Sequence, residues 1–237
     1  MSSAPMFRDR IHAGEQLAQS VMAEFTQLKT RGVNSQPIIY ALPRGGIPVA
    51  VPVASSLGCP VDILVAKKIT FPENPELAIG AVTSDGHVLW CQPKRFRRNQ
   101  QSALEAALRQ AQDKAIALQS KLSSSRLPVS AQGAIAILVD DGIATGMTIA
   151  VAASAVKAQN PAEIWVCSPV APQGLSEWLL QWCDRAIILE TPEPFLSVSR
   201  FYEEFPQVDT QEALFYLQQH NQQILPNNQS PDAPMSR

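Results

Sequence analysis

Two adjacent acids followed by a loop of small residues are the part of this sequence best suited to chemistry. Asp140 and Asp141 come directly after the apolar run 135–139, and residues 142–148 follow them. Such a run is typical of a strand buried on both faces of a parallel sheet, and ligands bind beyond the carboxyl ends of such strands. The loop can present backbone N–H groups to an anion. The carboxylates can accept hydrogen bonds from sugar hydroxyls or hold a hydrated metal ion.

The order of these features favours an anion site over two simpler explanations. A predicted helix over residues 147–156 adds its N-terminal dipole to the same spot. An ordinary strand-to-helix turn also uses Gly and Thr, and a receiver-type acidic pocket needs its acids after the first strand. Here the acids lie past the midpoint of the chain, and strand, acids, loop and helix follow in the required order. The loop consists of Gly142, Ile143, Ala144, Thr145, Gly146, Met147 and Thr148.

A second loop supports the same interpretation. Residues 37–42 predict another buried strand, and Pro43, Arg44, Gly45 and Gly46 follow it before a predicted helix to residue 57. Two glycines let the backbone approach a ligand closely, and the planar guanidinium of arginine suits phosphate oxygens. Alone, this segment could be only a tight connection between a strand and a helix. Together with the acid pair roughly a hundred residues downstream, it favours anion binding.

A third predicted strand, residues 61–66, brings Lys67 and Lys68 to the same edge of the sheet. Lysines after a buried strand are often only solvated charges, but these fall where the other two loops converge. Residues 70–77 follow with two prolines and two glutamates. This composition predicts a long loop.

Together these motifs resemble the type I phosphoribosyltransferases, enzymes and regulators that bind 5-phosphoribosyl-1-pyrophosphate (PRPP). The resemblance rests first on residues 139–148. Residues 74–81, the loop 43–46 and residues 191–195 are similar to an uncharacterised branch of predicted phosphoribosyltransferases. The similarity covers residues 7–207. It implies transfer of a 5-phosphoribosyl group from PRPP to a nitrogenous, nucleobase-like acceptor, with release of pyrophosphate, as in nucleotide salvage.

The resemblance also implies residue roles. The loop 142–148 would bind the 5-phosphate, and Asp140 and Asp141 would bind ribose hydroxyls and, through water, Mg²⁺. Pyrophosphate would be held by Arg44, Gly45, Gly46, Lys67 and Lys68, and Lys68 is preferred because Lys67 departs from the family's Arg-Lys pattern. The expected catalytic residues are Asp140, Asp141, Arg44 and Lys68. The family places a water-excluding lid over residues 70–77, here with Glu73, Asn74 and Glu76, and a base-stacking ring near Phe195 and Tyr202.

The acceptor is constrained only in part. Hypoxanthine and guanine members carry an acid where this loop has Ala144, which disfavours a 6-oxopurine. An adenine-type enzyme could use Glu73 or Glu76 of the predicted lid. A non-catalytic PRPP sensor is the main alternative, although such proteins usually add a DNA-binding module. A phosphosugar hydrolase is a further one, although no Gly-x-Ser-x-Gly motif is found.

These loops require a doubly wound α/β fold, with a mainly parallel sheet flanked by helices. Besides the three strands above, the sequence predicts strands at 163–168 and 185–189. Helices are predicted at 13–28, 99–122 and around 175–182, and Asp85-Gly86 marks a hairpin between residues 79–82 and 87–90. We expect one domain over residues 1–224. Residues 5–12 and 191–208 would form a small hood over the acceptor, and residues 225–237 a disordered tail.

The composition of the chain indicates which partners and which cellular compartment to expect. The chain has 237 residues, of which 19 are basic and 21 acidic. This nearly balanced charge predicts no overall electrostatic attraction to nucleic acid or to an anionic membrane. No apolar run reaches the ~20 residues that a bilayer requires. Residues 1–10 lack the apolar stretch of a signal peptide, and the four scattered cysteines suit a reducing cytoplasm without a disulfide or zinc. The basic run 94–98 is typical of a solvated segment. We expect a cytoplasmic homodimer.

Overall fold

The computed structural model describes residues 5–71, 74–91 and 101–224. Its centre is a five-stranded parallel sheet, and beside it lies an antiparallel sheet of three strands. In chain order the strands are β1 Pro37–Ala41, β2 Val61–Ile63, β3 Ala66–Phe71, β4 Asn74–Thr83, β5 Val88–Trp90, β6 Ile135–Val139, β7 Glu163–Val170 and β8 Arg185–Glu190. The α-helices are α1 Arg10–Thr30, α2 Gly46–Leu57, α3 Gln101–Leu122, α4 Met147–Lys157, α5 Leu175–Leu179 and α6 Thr210–Ile224.

The parallel sheet has the order β2-β1-β6-β7-β8, which places the two predicted anion loops side by side. From β1 the chain crosses outward to β2, whereas from β6 it crosses in the opposite direction to β7. The order therefore reverses between β1 and β6, and ligands of open α/β sheets bind at such a switch point. Every residue of β1 and of β6 is buried, as their unbroken apolar sequences predict.

Apolar residues cover both faces of this sheet, as the doubly wound prediction requires. On one face, Ile39 and Ile137 pack with side chains of α1, α2 and α6, and with Ala115 and Leu122 of α3. On the other face, Leu138 packs with α4 and α5. The sheet is therefore the middle of three layers, and the predicted α/β class is confirmed.

Two predictions about the segment after β2 are wrong. The predicted strand 61–66 ends at Ile63 in the parallel sheet, and Ala66 begins β3 of the antiparallel sheet. The chain passes from one sheet to the other at Leu64 and Val65. The Leu64 N–H donates to the Ala41 carbonyl of β1, whereas the Val65 carbonyl accepts a hydrogen bond from the Ser84 N–H beside β4. Lys67 and Lys68 consequently lie within a strand rather than after one.

The predicted long loop over residues 70–77 is also mostly strand. Thr70 and Phe71 belong to β3, and Asn74 begins β4. The register shifts on both sides of Thr70, and the two strands stay paired. A small core fixes this hairpin against α3, with Ile69 of β3, and Ile79 and Val82 of β4, packed on Ala107 and Ala111 of the helix. Pro72 and Glu73 lie outside the described residues.

The other predicted elements are present with small changes of length. The hairpin around Asp85-Gly86 joins β4 to β5, and α3 is described from Gln101. The two predicted hood segments meet, because Phe7 forms an isolated parallel bridge with Tyr202. No helix in the described ranges is long and apolar enough to span a bilayer. The predicted tail, residues 225–237, falls outside the part that the structure describes.

Candidate functional site

The loops after β1 and β6 meet at the switch point with almost no space between them. The Leu42 N–H donates to the Val139 carbonyl at 2.9 Å. A Cβ atom added at Gly45 would lie 2.0 Å from the Asp141 Oδ2 atom, and one at Gly46 would lie 2.6 Å from the Val139 carbonyl oxygen. These contacts leave no room for a side chain, which explains the paired glycines. The Pro43–Arg44 peptide bond of this loop is cis.

Asp140 points into a cavity at the carboxyl end of the sheet. Its Oδ1 atom accepts the Asp141 N–H at 2.9 Å. Burial, and next the negative charge of Asp141, raise the pKa of Asp140 well above its ordinary value of 3.8. The cavity has a volume of about 510 Å³, and its other lining residues are Leu42, Pro43, Ala66, Lys67, Lys68, Thr70, Lys114 and Thr148.

Asp141, by contrast, already has a cationic partner. Its Oδ2 atom accepts a hydrogen bond from the Arg10 Nε atom at 2.7 Å, and the two side chains are only 16% and 10% exposed. Arg10 also donates to the Pro206 carbonyl at 2.6 Å and lies 3.6 Å from the centroid of the Phe205 ring. The two acids therefore have different environments, and Asp141 joins the sheet to both segments of the hood.

Sequence reasoning missed Arg10, although one signal was available. Arg10 lies on the same helical stripe as the buried Ala13, Leu17 and Val21 of α1. A charged residue on an otherwise apolar stripe needs a buried partner, because an unpaired buried charge is costly. No local pattern could have identified that partner, since Asp141 follows 131 residues later.

Arg44 and Lys67 face a second, larger cavity of about 600 Å³. The Arg44 guanidinium donates to the Thr210 hydroxyl at 3.2 Å. Lys67 lines both cavities, and burial, followed by the charge of Arg44, lowers its pKa. Of these two cavities, Lys68 lines only the smaller one, so the two predicted lysines share that cavity.

The larger cavity also contains two cations that sequence reasoning did not single out, Lys114 and Lys121 of α3. Both belong to a long helix rich in charged and polar residues, where a lysine gives no local sign of facing a site. The cavity is lined by Arg10, Arg44, Gly45, Lys67, Lys114, Ala117, Leu118, Lys121, Asp141, Gln207, Val208 and Thr210.

The predicted phosphate loop runs from Asp141 to the start of α4. Its Ile143 N–H donates to the Val170 carbonyl at 2.9 Å, so this amide anchors the loop to β7. Gly142 packs against Val198 of the hood, where an added Cβ would lie 2.2 Å from Cγ1. Gly146 has a φ of +75° and caps α4, a conformation that favours glycine. Ala144 and Thr145 are exposed, and Thr148 reaches the smaller cavity.

The aromatic residues of the hood form a packed cluster. Tyr202 is 4% exposed, its ring lies 4.7 Å from Phe205, and its hydroxyl donates to the Asp141 carbonyl at 2.6 Å. Burial raises the pKa of this phenol. Phe195 is only half-buried, with its ring 5.3 Å from Phe201. Of the two predicted stacking rings, Phe195 is therefore the accessible one.

The predicted lid residues are placed only in part. Asn74 begins β4 and is exposed. The backbone of Glu76 belongs to the same strand, but its side chain and the whole of Glu73 lie outside the described part of the chain.

The carboxylates present suit a metal ion bound mainly by other oxygens. Within the described ranges, no group of three or more His, Cys, Asp or Glu residues could hold a metal. Of the two adjacent acids, Asp141 is engaged by Arg10, which leaves Asp140 facing the smaller cavity. Mg²⁺ commonly takes one or two carboxylates and completes its shell with water and phosphate oxygens. The site therefore fits a magnesium ion that arrives with a phosphate ligand.

Comparison with known proteins agrees with this geometry. Residues 8–179 match the family model described as "Phosphoribosyl transferase domain". Proteins from two strains of Mycobacterium tuberculosis, each named "Putative phosphoribosyl transferase", are 35% identical over 218 residues, or 90% of this chain. The chain spans about half of these relatives, 46% of their length. The crystal structure of TT1426 from Thermus thermophilus is 32% identical, with a TM-score of 0.74 over 90% of this chain and 98% of that one.

Proposed function

This chain belongs to the phosphoribosyl transferase domain family, and from that premise we propose that it transfers the 5-phosphoribosyl group of Mg-PRPP to a nitrogenous base. The observation that carries the proposal is the meeting of two loops at the switch point. The contact between Gly45 and Asp141 brings a cationic loop and an acidic loop to one place. A sugar that carries a phosphate at one end and a pyrophosphate at the other needs both charges at the same site.

The two ends of PRPP are bound by different groups. Arg44, Lys67 and Lys68, with the backbone of Gly45 and Gly46, hold the pyrophosphate, whose departure develops negative charge. Fixed positive charge at the leaving group lowers the barrier, because it is worth more in the transition state than in the ground state. The 5-phosphate binds at the exposed part of the loop 142–148, where the N-terminus of α4 adds its dipole.

The acids act on the sugar and on the metal's water shell. Asp140 holds ribose hydroxyls and the hydrated Mg²⁺, whereas Asp141 is oriented by Arg10 and fixes the loop. When bound, Mg²⁺ supplies positive charge to the pyrophosphate oxygens. The raised pKa of Asp140 describes a site without ligand, since nearby positive charge favours the ionised carboxylate. The hairpin β3–β4, which carries the predicted lid residues Glu73, Asn74 and Glu76, excludes water during transfer.

The reaction balances without another reagent. The bond between C1 of the ribose and the pyrophosphate oxygen breaks, and its electron pair leaves with the pyrophosphate. The lone pair of an acceptor nitrogen forms the new bond to C1, and any proton on that nitrogen passes to solvent or to a carboxylate. Of the two predicted stacking rings, Phe195 is the less buried, but it lines neither cavity, so no stacking role is proposed for it.

The first test is binding followed by turnover with the full chain. Millimolar Mg-PRPP should raise the melting temperature by roughly 5–10 °C, because ligand at a hundred times its Kd adds about 2.7 kcal/mol to the free energy of unfolding. Ribose 5-phosphate is the matched control and should give a smaller shift. A panel of nucleobases with Mg-PRPP, followed by pyrophosphate release, then tests transfer.

The two readouts separate the possible outcomes. No thermal shift with Mg-PRPP, in a protein that is folded, would contradict PRPP binding itself. A clear shift without pyrophosphate release for any base would instead favour a PRPP sensor over an enzyme.

A further inference from the structure

Four residues on one face of α3 line the larger cavity. Lys114, Ala117, Leu118 and Lys121 all line that cavity. Their spacing of i, i+3, i+4 and i+7 places them on one side of the helix. The two lysines are therefore separated by two turns, about 10.5 Å, with apolar side chains between them. Leu118 packs against the main hydrophobic core, which fixes this face in place.

The charges of the larger cavity are unbalanced. Five of its lining residues are cations and one is a carboxylate, and that carboxylate is engaged by Arg10. Across the described ranges, no ion pair involves Arg44, Lys67, Lys114 or Lys121. Lys114 and Arg44 both contribute to the lowered pKa of Lys67, which means that like charges face each other here. A cleft with unpaired charges of one sign attracts ligands of the opposite sign.

The pyrophosphate accounts for only part of this charge. Arg44, Lys67 and Lys68 surround its proposed position, and a bound Mg²⁺ already offsets part of its negative charge. Lys114 lines both cavities, so it can reach the pyrophosphate as well. Lys121 lines only the larger cavity, together with the hood residues Gln207 and Val208. Its charge is left for a second anionic group.

We infer that the acceptor carries a carboxylate, and that Lys121 binds this carboxylate while Lys114 lies between it and the pyrophosphate. The apolar strip of Ala117, Leu118 and Val208 offers a surface for the acceptor ring between the charged ends. The inference rests on the proposed transfer and names its substrate class. It makes Lys121 a specificity-determining residue.

The test compares heterocycles that differ by one carboxylate, nicotinate with nicotinamide and orotate with uracil. Binding of each is measured by calorimetry to the full chain with Mg²⁺ and pyrophosphate present. We expect the acidic member of at least one pair to bind at least tenfold more tightly than the neutral one. Lys121→Met should reduce that preference about tenfold, and Lys121→Arg should retain it.

Three controls keep the result specific. Lys121→Met should leave the Kd of Mg-PRPP within about twofold, which distinguishes this inference from a failure of PRPP binding. Arg109→Met removes an exposed cation of the same helix outside the cavity and should change neither measurement. Inorganic phosphate alone tests for a free anion rather than an acidic acceptor.

Two results would overturn the inference. One is equal binding of acidic and neutral heterocycles, or binding of neither, in a protein that binds Mg-PRPP. The other is Lys121-dependent binding of free phosphate without any preference for acidic heterocycles.

Discussion

Removing the charges of Asp140 and Asp141 should have different effects on stability, although the two residues are adjacent. Asp140→Asn and Asp141→Asn each keep the size of the side chain. An amide oxygen at position 140 can still accept the Asp141 N–H, and the substitution removes a charge that burial disfavours. At position 141 the same change leaves the buried Arg10 guanidinium without its carboxylate. The sequence predicts a ligand-binding role for both acids, and the structure adds an ion pair with Arg10 for Asp141.

The expected magnitudes follow from the contacts of Arg10. Removing one partner of a buried ion pair costs about 3–5 kcal/mol. Both side chains keep some exposure, and Arg10 retains the Pro206 carbonyl, so the lower end, about 3 kcal/mol, applies. For a chain of this length that loss lowers Tm by roughly 6–12 °C. Asp140→Asn should leave the free energy of unfolding within about 1 kcal/mol of wild type, or raise it.

The pH dependence has a definite sign. The folded-state pKa of Asp140 lies above its ordinary value of 3.8, so the native state binds this proton more tightly than the unfolded state. The resulting stability is fully present below pH 3.8 and is lost as pH rises through the folded-state pKa. Any advantage of Asp140→Asn over wild type should therefore be largest near neutral pH and shrink as the pH falls toward 4.

Urea denaturation of the ligand-free protein, followed by tryptophan fluorescence at pH 7 and pH 5, measures these differences. Calorimetry with Mg-PRPP then measures affinity, which both variants should lose. Combining Arg10→Met with Asp141→Asn provides a control, because the pair should lose less stability than the two single changes added together. Equal losses for the two asparagine variants, or a loss only for Asp140→Asn, would show that the Arg10 ion pair does not carry the stability assigned to it.

Two further variants test the loop after β1. Arg44→Ala should weaken pyrophosphate and PRPP on the order of tenfold or more, as for a charged hydrogen bond, and ribose 5-phosphate far less; equal losses for all three ligands in calorimetry would contradict its assignment. Gly45→Ala should lower the free energy of unfolding by about 1–3 kcal/mol, because its methyl group displaces the Asp141 carboxylate. In the Asp141→Ala background that cost should largely disappear in urea denaturation, and a cost that persists there would exclude this contact as the cause.

The parts of the fold that the sequence predicts are those with strong local patterns. β1 and β6 lie in short apolar runs that stop before Pro43 and Asp140, a pattern typical of a strand buried on both faces. The antiparallel sheet was harder to predict, because the largely apolar segment from Val61 to Ala66 leads from one sheet into the other without a turn signal. Only the long-range hydrogen bonds at Leu64 and Val65 decide where one sheet ends and the other begins.

In the candidate site, too, the residues that the sequence predicts are those with a local signal. The acids, the glycines and Arg44 could be named because each follows a predicted strand directly. Arg10, Lys114 and Lys121 lie on helices that reach the site only through tertiary packing, and local sequence carries little sign of that. Lys121 differs from any other lysine on the surface of a helix only in what α3 packs against.

The hydrogen bonds of Arg10 determine when the candidate site can form during synthesis of the chain. Arg10 is separated from Asp141 by 131 positions and from Pro206 by 196. Synthesis proceeds from the N-terminus, so the acid loop leaves the ribosome long before the segment that closes over it. A nascent chain that has completed β6 and α4 already contains the loop 142–148, but Arg10 still lacks the Phe205 ring and the Pro206 carbonyl. The candidate site is therefore among the last parts of the molecule to be completed, and an interrupted chain can contain most of the sheet without it.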